Sequence, residues 1–119
     1  MTWKENEKWN EPVFNYTEHR ELWDWISKNS KKLKEEWPKW RINGGQYEMN
    51  EKACFACDYK DNTKSKWCEN CPLVWINDIK CYKDNSLYDI FAKTPDVHLR
   101  IKCAEMIRDL KVKDGVKYI

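Results

Sequence analysis

The apolar residues that follow residue 16 recur at the spacing of an amphipathic helix. The shared face is formed by Leu22, Trp23 and Ile26. Thr17 is a suitable N-cap, so the pattern predicts a helix over 17–28. A second helix is predicted over 30–37, because Asn29-Ser30 interrupts the first and Pro38 cannot continue the second.

Two more helices are predicted in the last third of the chain. Ser86 and Asp89 have the spacing of a capping box ahead of an apolar run. Thr94-Pro95-Asp96 combines a cap, a proline at the first helical position and an acid in the first turn, and predicts a helix to about residue 111. Cys103 lies on its apolar face, where a thiol usually behaves as a small buried hydrophobe.

Short alternating patterns predict a small amount of β structure. Residues 40–42 and 47–49 are expected to pair as a hairpin across a glycine-containing turn, and 73–76 is expected to form a strand. The predicted class is therefore α+β. We expect a polar N-terminal arm over 1–15 and a small, helix-rich single domain with short strands over 16–119.

The composition narrows the possible functions. The 119 residues carry a formal charge of +2, which argues against an acidic DNA mimic and against a strongly basic nucleic-acid binder. No apolar run approaches the ~20 residues of a membrane span. Eight tryptophans are an unusual load for this length. Trp23 and Trp75 are expected in the core, and Trp3, Trp9 and Trp25 at the surface.

Two cysteine pairs near the middle of the chain predict a metal site. Cys54 and Cys57 are separated by two residues, as are Cys68 and Cys71, and ten residues lie between the pairs. Each pair has the spacing of a zinc knuckle, and four thiolates fill a tetrahedral zinc site. A filled site leaves no position for an activated water, so we expect structural zinc and no hydrolytic chemistry.

Other readings of the six cysteines stay open. Disulfides are one alternative, although the N-terminus has no apolar segment typical of a secretory signal, and we therefore expect a cytoplasmic protein. A redox role for either pair is another. Cys81 follows Cys71 by ten residues, so it could replace one ligand or lie beside the site. His98 is expected at the surface, in the first turn of its helix.

A basic segment over 28–41 is the candidate partner-binding surface. It has six basic and two acidic residues, with two tryptophans among them. The residues predicted to contact a partner are Lys31, Lys32, Lys34, Trp37, Trp40 and Arg41. The alternative is a solvated, lysine-rich helix face. The chain has no phosphate loop, nucleophile elbow or open metal-ligand set, so we expect a protein that is not an enzyme.

Several short motifs together resemble a known group of proteins. These are Cys54-Phe-Ala-Cys57, Trp67-Cys-Glu-Asn-Cys71-Pro-Leu-Val-Trp75, His19-Arg-Glu-Leu-Trp-Asp-Trp-Ile26, Trp37-Pro-Lys-Trp40 and Asn43-Gly-Gly45. The combination is similar to small zinc-binding proteins of phages and prophages of Gram-positive bacteria, over roughly residues 19–81. From that group only the four knuckle cysteines carry over as a motif.

The resemblance implies a role that depends on binding a host machine. The first hypothesis is a phage-encoded inhibitor of a host defence nuclease, in particular a metalloprotein anti-CRISPR that binds a type II effector complex and binds nucleic acid weakly or not at all. The alternative is a nucleic-acid-binding zinc module, such as a phage transcriptional regulator. A structural or assembly protein is a third possibility.

Overall fold

The computed structural model describes residues 13–50, 52–61 and 71–119. Within these ranges the chain forms a small, helix-rich domain. Its four α-helices are α1 (Tyr16–Lys28), α2 (Phe55–Asp61), α3 (Leu87–Lys93) and α4 (Val97–Arg108). The helix-rich α+β prediction is confirmed at this coarse level, with strand pairing in the described ranges limited to three isolated β-bridges. Residues 1–12, which include Trp3 and Trp9, lie outside the described residues, as does Cys68.

Helix α1 begins one residue earlier than predicted, and its cap is a different residue. Asn15, rather than Thr17, is the N-cap, and its Oδ1 accepts a hydrogen bond from the backbone N–H of Glu18 at 3.3 Å. An amide side chain caps a helix as well as a hydroxyl does. The predicted apolar face is confirmed, because its three residues are at most 5% exposed, namely Leu22, Trp23 and Ile26.

Of the two caps predicted for the C-terminal helices, one is confirmed and the other is wrong. The Oγ of Ser86 accepts the N–H of Asp89 at 3.0 Å, as the capping box predicts. At α4 the cap is Asp96 and not Thr94, because the Asp96 carboxylate accepts hydrogen bonds from the first free N–H groups of the helix. Pro95 therefore precedes the helix. Helix α4 ends at Arg108, three residues before the predicted limit.

Helix α4 packs against α1 and α3, and this contact forms much of the core. Trp23 of α1 meets Phe91 of α3 edge to face, with ring centroids 5.1 Å apart. Trp23 and Trp75 are buried as predicted, and so is Cys103. Trp25 was expected at the surface but is half-buried. Full burial of a phenylalanine side chain such as that of Phe91 contributes about 1.5–3 kcal/mol to stability.

The helix predicted over 30–37 is wrong. The chain forms only a 3₁₀ turn there, over Lys34–Glu36. Leu33 is the one apolar residue between positions 29 and 37, and it is 60% exposed. A short helix needs an apolar face to pack, because intrinsic propensity alone does not stabilise it in water. The lysine-rich run offers no such face.

The predicted hairpin is also wrong, although two of its residues do pair. Trp40 and Tyr47 form an isolated bridge of parallel type, and between them the chain makes a 3₁₀ turn over Arg41–Asn43. Gly44 follows with φ of +98°, which favours glycine. At Gly45 a Cβ atom would collide with the backbone six residues earlier. These two glycines bring the chain back in a tight loop instead of an antiparallel ladder.

The two remaining bridges bring the C-terminal segment against earlier parts of the chain. Phe14 pairs with Tyr118, and Leu73 pairs with Val112. Phe14 is fully buried, so the described end of the predicted N-terminal arm belongs to the domain. The predicted strand 73–76 is reduced to this bridge, since a 3₁₀ turn begins at Ile76. No helix in the described ranges is both long and apolar enough to cross a bilayer.

Candidate metal site

The first cysteine pair lies at the start of α2, where a tight turn fixes its backbone. The N–H of Cys54 donates to Asn50 Oδ1 at 2.8 Å, and Asn50 Nδ2 donates to the Cys54 carbonyl at 2.9 Å. Ala53 lies inside this ring of hydrogen bonds, fully buried and with φ of +49°. Cys54 is thereby held immediately before the helix, and Cys57 follows within its first turn.

Cys54 and Cys57 contact each other directly. The backbone N–H of Cys57 donates to Cys54 Sγ at 3.3 Å. The hydrogen bond from the Cys57 thiol lowers the pKa of Cys54 to about 6, with smaller help from the charge of Lys34, while burial opposes it. The same bond raises the pKa of Cys57. The proton shared by the pair thus favours Cys54 over Cys57 as the thiolate, the form that binds metals.

Cys71 and Cys81 are contributed by a separate part of the chain. Cys71 is buried and lies two residues before the bridge of Leu73. Burial raises the pKa of Cys71, while the N–H groups of Leu73 and Trp75 favour its thiolate. Cys81 is half-buried, and Ser86 Oγ donates to its carbonyl at 3.0 Å. Both residues therefore have fixed backbone positions.

All four of these thiols line one cavity of about 290 Å³, which we call the cysteine cavity. Its cysteines are Cys54, Cys57, Cys71 and Cys81. The side of α1 that faces it contributes His19 and Trp23, and Trp75 closes another wall. Residues that are far apart in sequence are thus brought to one space, which is what a metal site requires of a folded chain.

The donor set fits zinc in its chemistry, since thiolate sulfur is the ligand that structural zinc prefers. The side chains are not drawn into a tetrahedron, however. Within the described ranges no group of three or more His, Cys, Asp or Glu side chains is placed closely enough to hold a metal ion. Coordination would therefore require these side chains to turn toward one point.

Lysines surround the cysteines. Lys34, Lys52 and Lys113 lie near enough to favour the thiolate forms of Cys54, Cys57 and Cys71, respectively. Lys34 also donates to the carbonyl of Lys52 at 2.9 Å and stands 4.7 Å from the Tyr88 ring centroid. A buried anionic site needs positive charge close by, because uncompensated charge is costly away from water. The lysines supply it.

The structure separates the residues predicted to contact a partner. Trp37 and Trp40 are only 2% and 1% exposed, so the expectation that they form surface anchors needs correction. They pack with Tyr47 and Phe55 in what we call the ring cluster, where Trp40 stacks on Phe55 at 5.1 Å. Burial removes the large apolar surface of these rings from water, which is more favourable than leaving them exposed.

The charged residues of that set lie elsewhere. Lys31, Lys32 and Arg41 are exposed, and we call them the basic surface. Arg41 pairs with Glu48 at 2.9 Å, with both side chains mostly in water. Lys34 instead lines the cysteine cavity. The predicted binding set thus divides into core, surface and cavity residues.

Sequence reasoning missed the place of His19 at the cysteine cavity. His19 is 2% exposed, and its Nε2 donates to the Ile107 carbonyl at 3.0 Å. Burial lowers its pKa to about 4, with a smaller effect from Arg20 in the same direction. Its spacing from Leu22 and Trp23 places it on the apolar face of α1, so the helical pattern contained the signal. His98, expected at the surface, is exposed.

Comparisons with protein-family models, with curated proteins and with solved structures find no match to this chain.

Proposed function

We propose that this chain is a zinc-stabilised protein-binding module that carries out no catalysis. The observation that supports the proposal is the cysteine cavity, because cysteines from two separate segments line one space beside α1. Cys54, Cys57 and Cys71 are three of the four ligands that the knuckle spacing predicts. The fourth predicted ligand, Cys68, lies outside the described residues.

A zinc ion here would act mainly on stability. In a chain of 119 residues the core is modest, and a metal that joins distant segments contributes a large share of the folding free energy. The cavity lies between α1, the start of α2 and the 71–81 segment. Metal binding would therefore hold the irregular central segments against the helices and keep the neighbouring surface rigid.

The proposed contact region is the basic surface. At one end of this surface, exposed Arg41 immediately follows Trp40 of the buried ring cluster. The Trp40 indole also donates to the carbonyl of Lys34 at 2.9 Å, which ties the lysine run to the core. Cationic side chains on a rigid base suit a partner with an acidic patch. Because the sequence resembles phage zinc proteins, we propose a host defence nuclease of the type II CRISPR class as that partner.

The alternative is a nucleic-acid-binding zinc module. The basic surface could contact phosphates, but base stacking needs exposed rings, and Trp37 and Trp40 are buried. Zinc with four thiolates adds a charge of about −2, so the formal charge of +2 would fall to about zero in the zinc-bound protein. Both observations favour a protein partner.

The zinc part of the proposal is tested by metal analysis of the purified protein. We expect about one equivalent of zinc per chain, and removal by a chelator should lower the melting temperature. Cys54→Ser should lose most of the metal. Cys103→Ser should keep it, because the buried Cys103 thiol does not line the cysteine cavity. A well-folded protein without metal would contradict the proposal.

The partner is tested by a nuclease-inhibition assay run beside a gel-shift series at several salt concentrations. We expect inhibition of the nuclease and only weak binding to free duplex DNA. Phosphate binding weakens steeply with salt, by a log–log slope of about −0.9 per neutralised phosphate. Tight, sequence-dependent DNA binding without an effect on the nuclease would favour the regulator instead.

A further inference from the structure

We propose that Cys54 and Cys57 form a redox site, a pair of thiols that becomes an intramolecular disulfide by exchange with a low-molecular-weight disulfide such as oxidised glutathione. The exchange needs no bound zinc, because the two cysteines act in it as a reacting pair and not as ligands. It therefore goes beyond the proposed function and is tested separately from it.

The backbone of the pair has the spacing that a disulfide needs. The N–H of Asp58 donates to the Cys54 carbonyl at 3.0 Å, so the helical hydrogen bonds of α2 already include Cys54. Residues three positions apart in an α-helix have Cα atoms about 5 Å apart. Disulfides join residues whose Cα atoms are about 4.4–6.8 Å apart. The bond can therefore form within the first turn of the helix.

The two side chains also face each other. The backbone N–H of Cys57 donates to Cys54 Sγ at 3.3 Å, and the Cys57 thiol donates to the same sulfur. The sulfurs that a disulfide would join are thus neighbours in the reduced protein. Because both hydrogen bonds are donated to Cys54 Sγ, this sulfur is the one prepared to carry negative charge.

The segment before α2 holds this arrangement in place. Asn50 exchanges two hydrogen bonds with the backbone of Cys54, at 2.8 and 2.9 Å, and Ala53 between them is fully buried. A fixed turn raises the effective concentration of one sulfur at the other. An intramolecular disulfide is therefore favoured over two separate mixed disulfides.

The surroundings allow access and supply positive charge. Both cysteines are half-buried, so part of each remains open to solvent. Lys34 and Lys52 line the cysteine cavity beside them. Cations near a sulfur favour the thiolate, which is the form that attacks a disulfide. The same lysines attract the carboxylates of glutathione, so an anionic disulfide suits the site.

The exchange takes place in two steps. The Cys54 thiolate attacks one sulfur of oxidised glutathione, the S–S bond of the glutathione breaks, and one glutathione thiolate leaves. The Cys57 thiolate then attacks Cys54 Sγ, the bond from Cys54 to the second glutathione breaks, and that thiolate leaves. The two cysteines lose two electrons, the glutathione disulfide gains them, and the two cysteine protons are taken up by the two departing thiolates.

The test is a titration with mixtures of reduced and oxidised glutathione, on zinc-loaded and on chelator-treated protein. Acid quenching, alkylation and mass spectrometry then map the disulfides. We expect the Cys54–Cys57 bond to be at least ~10-fold more abundant than any other intramolecular pairing. A different pair as the main product, mixed disulfides alone, or equal selectivity for this bond in urea would overturn the redox site.

Serine variants test the order of the two steps. Cys57→Ser should stop at the mixed disulfide, with one glutathione on Cys54, because the second attacking sulfur is missing. The control Cys103→Ser should give the same product as wild type. A mixed disulfide that persists in wild type as long as in Cys57→Ser would contradict the proposed second step.

The outcomes for zinc and for the disulfide are distinguishable. A protein that binds zinc but forms no Cys54–Cys57 bond in either sample overturns the redox site and leaves the zinc proposal standing. A protein that forms this bond but binds no zinc does the reverse. Mapping of wild type gives either result even if Cys57→Ser does not fold.

Discussion

Replacing His19 by glutamine should remove much of the acid sensitivity of this domain. The imidazole is buried in the face of α1 that meets α4, and its Nε2–H donates to the Ile107 carbonyl. Glutamine places an amide N–H at a similar distance from the backbone but does not titrate. His19→Gln therefore retains the donor and removes the protonation.

The magnitude follows from the pKa values of the folded and unfolded chain. Burial lowers the pKa of His19 from 6.5 to about 4. Between these values the unfolded chain binds more protons, so the contribution of His19 is fully present above pH 6.5 and is lost as the pH falls toward 4. The loss is about 2 kcal/mol at pH 5 and reaches about 3 kcal/mol below pH 4.

The assay is urea denaturation of zinc-loaded protein at a series of pH values between 7.5 and 5. Thiolate protonation also weakens zinc binding in acid. The relevant quantity is therefore the difference between wild type and His19→Gln in the slope of the unfolding free energy against pH. His98→Gln is the control, since it removes an exposed histidine. Equal slopes for wild type and His19→Gln would refute the idea that the buried neutral ring causes the effect.

Three further predictions concern the core, the metal and the surface. Trp40→Ala should lower the free energy of unfolding by about 3–5 kcal/mol in urea titrations, as expected for a buried aromatic side chain. A variant of unchanged stability that lost only partner binding would show instead that Trp40 is an interface anchor. Trp75→Phe should weaken zinc binding by about 10-fold in a chelator competition, because it removes an N–H donor beside Cys71; unchanged affinity would show that this donor serves no ligand. Lys31→Glu with Lys32→Glu should change stability by less than ~0.5 kcal/mol and reduce nuclease inhibition; full inhibition would remove this surface from the proposal.

The helices could be predicted wherever local signals and an apolar face agree. Helix α1 and the start of α3 combine a capping residue with apolar residues at helical spacing, and both helices form. The segment 30–37 has a cap and a stop signal but only Leu33 between them to pack, and it does not form a helix. Capping signals fix where a helix can begin, whereas tertiary packing decides whether it forms.

The candidate site was predictable in part, because spacing identifies ligands only within a motif. The Cys54 and Cys57 pair follows from two intervening residues and a turn that starts a helix. Cys81 and His19 join the same cavity from other parts of the chain, and no local pattern links them to it. Long-range proximity of this kind depends on how α1 and the 71–81 segment pack.

The burial of Trp37 and Trp40 changes which forces can act at the proposed interface. Exposed tryptophans would supply apolar anchors that are insensitive to salt. With these rings in the core, affinity at the basic surface depends on cations such as Lys31 and Lys32, whose exposed charges are screened over about 8–10 Å at physiological salt. Complex formation with a protein partner should therefore be faster at low salt, mainly through the association rate. An association rate independent of salt would place the contact on another face of the molecule.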